Sequence, residues 1–275
     1  MKKNRVKNIV ITGATRGLGL SHSVYLAKCG YNIALVDLSE DVCSVYNELK
    51  NIEELLEKLN ISSKAKFYSC DLTNIDETRE TFKKIEIEFK SIEGAVFNAG
   101  GDTTGKDKNV SGGKPSNNTI MIDIEDHDII FDRNYRTCLN SFQSIIPILK
   151  QNKYGKIITT SSVSAGYGVT KETAYSAAKA AIMHLTRSAA AELRDYDICI
   201  NCISPGPIMT GRFKNTLKNR SSNDLIKINN GKSFLTKVAD PIQISYLIEF
   251  LLSKKSDYIS GQVIRIDGGQ FTTPL

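Results

Sequence analysis

The 275-residue chain has no tryptophan and only three histidines, His22, His127 and His184. These show no metal-ligand spacing, so no metal site is assigned. None is placed to activate a serine either, which argues against a serine hydrolase. Cysteine is sparse and scattered: Cys29, Cys43, Cys70, Cys138, Cys199 and Cys202 form no disulfide framework, which points to a reducing compartment. Cys199 and Cys202 make a CxxC, but they lie in the strand-like "DICINCISP", where a three-residue separation puts side chains on opposite faces. No apolar run approaches the length that spans a bilayer, and the apolar run in "MKKNRVKNIVITGA" is too short for a secretory core. A cytoplasmic protein with no membrane partner is expected. The net charge of +6 is dispersed, with no long basic run or aromatic stacking motif. A nucleic-acid partner is therefore not expected, and the mild positive charge suits an anionic cofactor or substrate.

What is present is an alternation. Short apolar runs occur at "KNIVIT", "NIALVD", "KAKFYSCDL", "IEGAVFNAG", "GKIITTSS", "DICINCISP" and "GQVIRID". Helix-like segments lie between most of them, at about 40–60, 74–91, 124–152, 173–195 and 240–253. Apolar strands alternating with amphipathic helices predict an α/β doubly wound parallel sheet of about seven strands with helices on both faces. Two polar stretches interrupt the pattern, a long loop at 101–119 and a region at about 207–235. Both leave strands at their carboxyl ends, where open parallel sheets bind ligands. The alternation resumes after each, so 1–275 reads as a single Rossmann-type domain.

"VITGATRGLG" sets Gly13, Gly17 and Gly19 between the first strand and the first helix. A tight turn there needs glycine, and a pyrophosphate needs backbone N–H groups at a helix N-terminus. The loop residues Gly13, Thr15, Arg16, Gly17, Leu18 and Gly19 are assigned to a dinucleotide. Asp37, eighteen residues beyond Gly19, closes the second strand with Leu38 and suits the adenosine ribose hydroxyls. Its carboxylate repels a 2′-phosphate, so NAD is expected rather than NADP. Arg16 pulls the other way, and Asp37 outweighs it because a like-charge clash costs more than an exposed pair gains.

"TAYSAAKAAIMHL" places Tyr175 and Lys179 four apart in an alanine-rich segment, hence on one face of a helix. A phenol and an ammonium at this spacing are by themselves an ordinary surface pair. Other words in the chain change that reading: "TGATRGLG", Asp71 in "CDLT", "NAGG" from Asn98, Asn134 in "FDRNYRT", Ser162 in "TTSSVSAG", "NCISPGPIMT" and "ISGQVIRIDGG". Ser162 precedes Tyr175 by thirteen residues. In this order, over about residues 6–270, they resemble the short-chain dehydrogenase/reductase family in its short, single-domain branch. The interval from Asp37 to Asp71, with "EDVCSVYNELKNIEELLEKLN", is similar in part to carveol-dehydrogenase-like members, some of which hold nicotinamide cofactors tightly.

The resemblance implies hydride transfer between nicotinamide and a secondary alcohol or ketone. It implies a tetrad: Tyr175 as acid/base, Lys179 favouring the phenolate and binding the nicotinamide ribose, Ser162 orienting the substrate oxygen, and Asn134 holding a relay water. Asp71 and Leu72 would flank the adenine, Asn98 and Gly100 line the cofactor, and Pro205, Ile208 and Thr210 fix the carboxamide. A homotetramer or dimer pairing segments 124–152 and 173–195 is expected, as is an anion on the substrate met by Arg212, Lys214, Lys218 and Arg220. The alternatives are an NADPH-dependent 3-oxoacyl-carrier-protein reductase, a dinucleotide-sensing protein without catalysis and, behind both, a sugar-nucleotide epimerase.

Overall fold

The computed structural model describes residues 6–103, 115, 117–218 and 233–272. The seven apolar runs form β1 (Asn8–Thr12), β2 (Asn32–Asp37), β3 (Ala65–Ser69), β4 (Gly94–Phe97), β5 (Gly155–Thr160), β6 (Ile198–Pro205) and β7 (Val263–Ile266). They pair in the order β3-β2-β1-β4-β5-β6-β7, and every pairing is parallel. The helices are α1 (Gly17–Lys28), α2 (Ile52–Asn60), α3 (Ile75–Phe89), α4 (Ile124–Phe131), α5 (Thr137–Asn152), α6 (Thr173–Leu193), α7 (Gly211–Lys218) and α8 (Pro241–Leu252).

The two-residue period of the strands builds two cores. Val10, Ala34, Val36, Ala95 and Phe97 face α3, α5 and α6, where Phe82, Phe142 and Ile182 lie. Their neighbours Ile9, Ile11, Ile33, Leu35 and Val96 face α1, α2 and α8, where Leu26, Leu55 and Ile248 lie. The run of apolar residues in each strand thus reflects burial on both faces. Phe97 meets Phe142 edge to face at 5.0 Å between ring centres, an arrangement worth about 1 kcal/mol beyond its buried area. At the start of β5 the fully buried Lys156 ammonium is answered by Asp257 at 2.8 Å, the Ser253 carbonyl and the Ser256 hydroxyl.

Several helix starts follow from short polar side chains. Asn51 accepts from the Glu54 amide, Asn74 from Asp76 and Glu77, and Asp123 from Glu125. α1 differs: Arg16 stands at its N-cap in extended conformation and supplies no side-chain hydrogen bond.

The structure corrects the expected helix over 40–60. A 3-10 turn covers Glu40–Ser44, Asn47 takes the left-handed conformation at φ 55, and the helix begins only at Ile52. Asn tolerates that conformation and Asn51 then caps a fresh start, so the local chemistry breaks the segment in two. The stretch at 207–235 is likewise not all loop, since it opens with α7. Segment 124–152 is α4 and α5 joined by a π-helical turn at Asp132–Arg136, which carries Asn134.

The strand order reverses between β1 and β4. Their carboxyl ends therefore diverge into loops on either side of a crevice, the location where open α/β sheets receive ligands. Among the described residues no helix is long and apolar enough to cross a membrane.

Candidate active site

The glycine loop after β1 sits in that crevice. A Cβ at Gly19 would stand 1.8 Å from the Gly13 carbonyl oxygen, and one at Gly13, whose φ is +61, would stand 2.8 Å from Ala99 Cα. Only glycine allows the turn to close this tightly against the loop that follows β4. Asn98 ties the two loops, donating from Nδ2 to the Gly13 carbonyl at 3.2 Å, while its amide donates to Thr12 Oγ1 at 3.1 Å. This cradle suits a dinucleotide: it presents the amides of a helix whose N-cap supplies no side-chain hydrogen bond, on a backbone whose own glycines carry no side chain.

At the end of β2, Asp37 Oδ2 accepts from the Thr15 amide at 3.1 Å and the Thr15 hydroxyl at 2.8 Å, and Oδ1 accepts from the Leu38 amide at 3.0 Å. A carboxylate has further lone pairs, so these bonds leave room for ribose hydroxyls. Leu38 itself is exposed. The Arg16 guanidinium lies 5.4 Å from the centre of the Tyr46 ring, a cation–π contact. Asp71 folds onto its own turn, accepting from the Thr73 amide and hydroxyl. Leu72 is buried, and its carbonyl accepts from Asn140.

Sequence reasoning missed Glu48. Its Oε2 accepts from the Gly17 amide at 2.8 Å, the first residue of α1, and its Oε1 accepts from the Gly211 amide at 3.0 Å, the first residue of α7. One carboxylate therefore bonds two helix N-termini. The available signals were indirect: an Asn able to turn the chain just before Glu48, and a glycine-loop helix with no cap of its own.

The second cluster lies across the crevice. Tyr175 and Lys179 stand one turn apart on α6, with the Lys179 Nζ 5.7 Å from the Tyr175 ring centre. Ser162 caps a 3-10 turn at Val163–Gly166, its hydroxyl acts on the Tyr175 phenol, and it accepts from Ser164 Oγ at 2.9 Å. Ser161 turns into the core instead and donates to the Lys179 carbonyl at 2.7 Å. Lys179 is buried and donates to the Thr160 carbonyl at 2.9 Å. Asn134 accepts from the Gly101 amide at 2.8 Å and donates to the carbonyls of Gly101 and Ile130. Gly100 is wedged between them: a Cβ there would stand 2.6 Å from Asn134 Oδ1 and 3.3 Å from Lys179 Nζ.

Burial governs the ionisation of this cluster. The Tyr175 phenol is pushed up to about 12 by loss of hydration, against which the charge of Arg212 and the neighbouring Ser162 hydroxyl work. The Lys179 ammonium is lowered to about 8, again mainly by burial, with Arg212 acting in the same direction. Arg212 reaches this point from α7 and donates to the Asp102 carbonyl at 2.5 Å. It also lowers the half-buried Arg133, after desolvation and Arg16.

Pro205 ends β6, and Ile208 is buried in a short bridge to Ala239. The Thr210 methyl would stand 3.5 Å from a Cβ at Gly17, which places the "PGPIMT" turn against the glycine loop. Of the expected substrate cations, Arg212 faces the cluster and Lys214 is exposed. Lys218 ends α7, and Arg220 lies outside the described residues, as does most of the loop at 101–119. His22 is fully buried with Nδ1 2.8 Å from Ser245 Oγ, and His127 pairs with Asp128. Among the described residues no group of three His, Cys, Asp or Glu is placed to hold a metal.

A family profile described as enoyl-(acyl carrier protein) reductase matches residues 13–270. The chain is 29% identical over 273 residues to a cyclohexanol dehydrogenase of Rhodococcus sp., covering 96% of each chain. It is 27% identical over 268 residues to a 3-oxoacyl-[acyl-carrier-protein] reductase of Staphylococcus epidermidis, covering 96% of this chain and 99% of the relative. In fold it is similar to levodione reductase, with a TM-score of 0.81, 24% identity and 98% of each chain covered.

Proposed function

Because the chain belongs to the short-chain dehydrogenase/reductase family of oxidoreductases, we propose that it is an NAD(H)-dependent enzyme interconverting a secondary alcohol and a ketone, with Tyr175 as its acid/base. The observation that carries this reading is the cluster of Tyr175, the Ser162 hydroxyl that acts on its phenol and Lys179 one turn along α6, facing a glycine loop across one crevice. When bound, the nicotinamide supplies or accepts the hydride. The chain's residues handle the oxygen and its proton. Ser162 holds the substrate oxygen beside the Tyr175 hydroxyl. In reduction the phenol gives its proton to that oxygen, and in oxidation the phenolate takes it.

A phenol at about 12 is a poor base near neutrality. Nearby positive charge favours the phenolate, and Lys179, Arg212 and the oxidised nicotinamide ring each contribute it. Asn134, at the π-helical turn, holds the water that connects Lys179 to solvent. Asp37 selects NAD over NADP through its carboxylate, and Leu38, Asp71 and Leu72 surround the adenosine. Asn98 and Gly100 line the cofactor, while Pro205, Ile208 and Thr210 position its carboxamide. Arg212 binds a carboxylate or phosphate on the substrate. The protein works in the cytoplasm as a homotetramer or dimer through α4–α5 and α6, which light scattering checks.

The second reading is an NADPH-dependent 3-oxoacyl-carrier-protein reductase, supported by the similarity to the staphylococcal protein and by Arg16 in the glycine loop. Measuring activity with NADH and NADPH against a panel of ketones, hydroxy acids and oxoacyl thioesters separates the two. A strong preference for NADPH and the thioester would replace the first reading with the second.

A further inference from the structure

We propose that Glu48 is an internal anion that competes with the dinucleotide for the amides of the glycine loop, and so sets cofactor affinity. This rests on the dinucleotide reading of that loop. A pyrophosphate is drawn to the first amides of α1 because these N–H groups have no partner within their own helix and the helix dipole favours negative charge there. One of them, the Gly17 amide, already donates to the Glu48 carboxylate at 2.8 Å. Its neighbours are poor substitutes: Arg16 offers the helix no side-chain cap.

The carboxylate is brought there by the segment that sequence reading took for helix. Asn47 in the left-handed conformation reverses the chain between Tyr46 and Glu48. Tyr46 is held under the Arg16 guanidinium at 5.4 Å, on one flank of the loop. Gly211 secures the other flank. Its amide donates to Glu48 at 3.0 Å, and a Cβ at Gly211 would stand 2.8 Å from both Glu48 Cδ and Tyr46 Cβ. Glu48 therefore fastens the glycine loop to the start of α7, the helix that carries Arg212 to the catalytic cluster.

These bonds have a thermodynamic consequence. Contacts made by Glu48 only before the cofactor arrives stabilise the unbound form and subtract from binding. A pyrophosphate that takes the Gly17 amide must displace Glu48 Oε2 from it, and a carboxylate moved off Gly17 strains its Oε1 bond to the first amide of α7. Cofactor entry and the position of Arg212 are thereby linked through one side chain.

The experiment is a fluorescence titration of full-length protein with NADH, and separately with NADPH, for the wild type, Glu48→Gln and Glu48→Asp. Glu48→Gln is expected to bind NADH about tenfold tighter, about 1.4 kcal/mol. Glu48→Asp, which keeps the charge on a shorter arm, falls between. Without NADH, Glu48→Gln melts below the wild type, and the gap closes at saturating NADH. An unchanged or weaker NADH affinity in Glu48→Gln overturns the proposal while leaving the dinucleotide site standing; weaker binding would make Glu48 a cofactor ligand. If no form binds NADH or NADPH, the reading of the loop as a dinucleotide site fails and the proposal goes with it.

Discussion

The two sides of the crevice are prepared in opposite ways. At the mouth formed by the glycine loop, polar groups are answered from within the chain: Thr15 by Asp37, and Gly17 and Gly211 by Glu48. At the Tyr175–Lys179 cluster, the ionisable groups are held toward their neutral forms by burial, Tyr175 upward to about 12 and Lys179 downward to about 8. The mouth already contains negative charge that an anionic ligand must exchange with. The cluster contains charge that is costly until a ligand or a proton transfer makes use of it. Substitutions at the mouth should therefore move binding constants, and substitutions at the cluster should move rates, pH profiles and stability.

The largest effect tests the cluster. Tyr175→Phe removes only the transferable proton, and kcat is expected to fall by about 10²–10⁴-fold. The dissociation constant for NADH stays within about twofold, since the mouth is untouched. Activity within a few-fold of the wild type would remove Tyr175 from its role. A large loss of NADH affinity would show that the two sides are not separable.

Lys179→Met measures what burial costs. The Lys179 pKa is lowered from 10.5 to about 8 in the folded protein. Between those values the unfolded chain binds a proton that the folded chain has released, so wild-type stability rises with pH across that window and the penalty is fully present below about pH 8. At one unit per 1.36 kcal/mol the penalty is about 3 kcal/mol, offset in part by the lost hydrogen bond to Thr160. The variant is expected to be inactive yet more stable by about 2 kcal/mol at pH 7 in denaturant unfolding. That advantage shrinks toward pH 10. A destabilised variant at pH 7 would mean that the hydrogen bond outweighs the burial.

Asp37→Ala returns to the mouth. Losing the carboxylate removes its repulsion of a 2′-phosphate, and the NADH-to-NADPH ratio of kcat/KM is expected to fall by about tenfold. Thr15 loses its partner at the same time, so binding of both cofactors weakens somewhat. A ratio that does not move would pass the choice of cofactor to Arg16.

How much of this was legible beforehand differs between the two sides for the same physical reason. Strands buried on both faces announce themselves as apolar runs, and all seven were readable because burial acts residue by residue. Gly13, Gly17 and Gly19 were readable because a turn imposes its demand locally. Tyr175 and Lys179 were readable as neighbours because a helix fixes their spacing. Glu48 was not, since its role depends on a chain reversal at Asn47 and on α7 returning from more than a hundred residues away. The π-helical turn at Asn134 was hidden as well, because the extra residue leaves the apolar pattern of 124–152 nearly intact. α7 was obscured by its polar composition, which reads as loop until Gly211 and Arg212 are seen against their partners.

The smallest effect belongs to the residue that joins the two sides. Arg212 is the strongest lowering influence on the Tyr175 phenol and sits on the helix that Glu48 fastens. Arg212→Gln removes the charge while keeping a side chain that can donate to Asp102. The phenol then titrates higher, so the pH at which alcohol oxidation gains its base moves upward, while ketone reduction, which needs the neutral phenol, keeps its rate to higher pH. An anionic substrate loses an attractive partner, and its KM is expected to rise about threefold, with that of a neutral ketone unchanged, since a partly exposed charge contributes modestly. The NADH dissociation constant should stay within twofold, because Glu48 and not Arg212 contacts the glycine loop. If the KM values of charged and neutral substrates move together, Arg212 is packing α7 against Asp102 and the anion on the substrate is wrong. If the pH profile does not move either, the positive charge that serves Tyr175 comes from Lys179 and the oxidised cofactor, and the cluster works without help from α7.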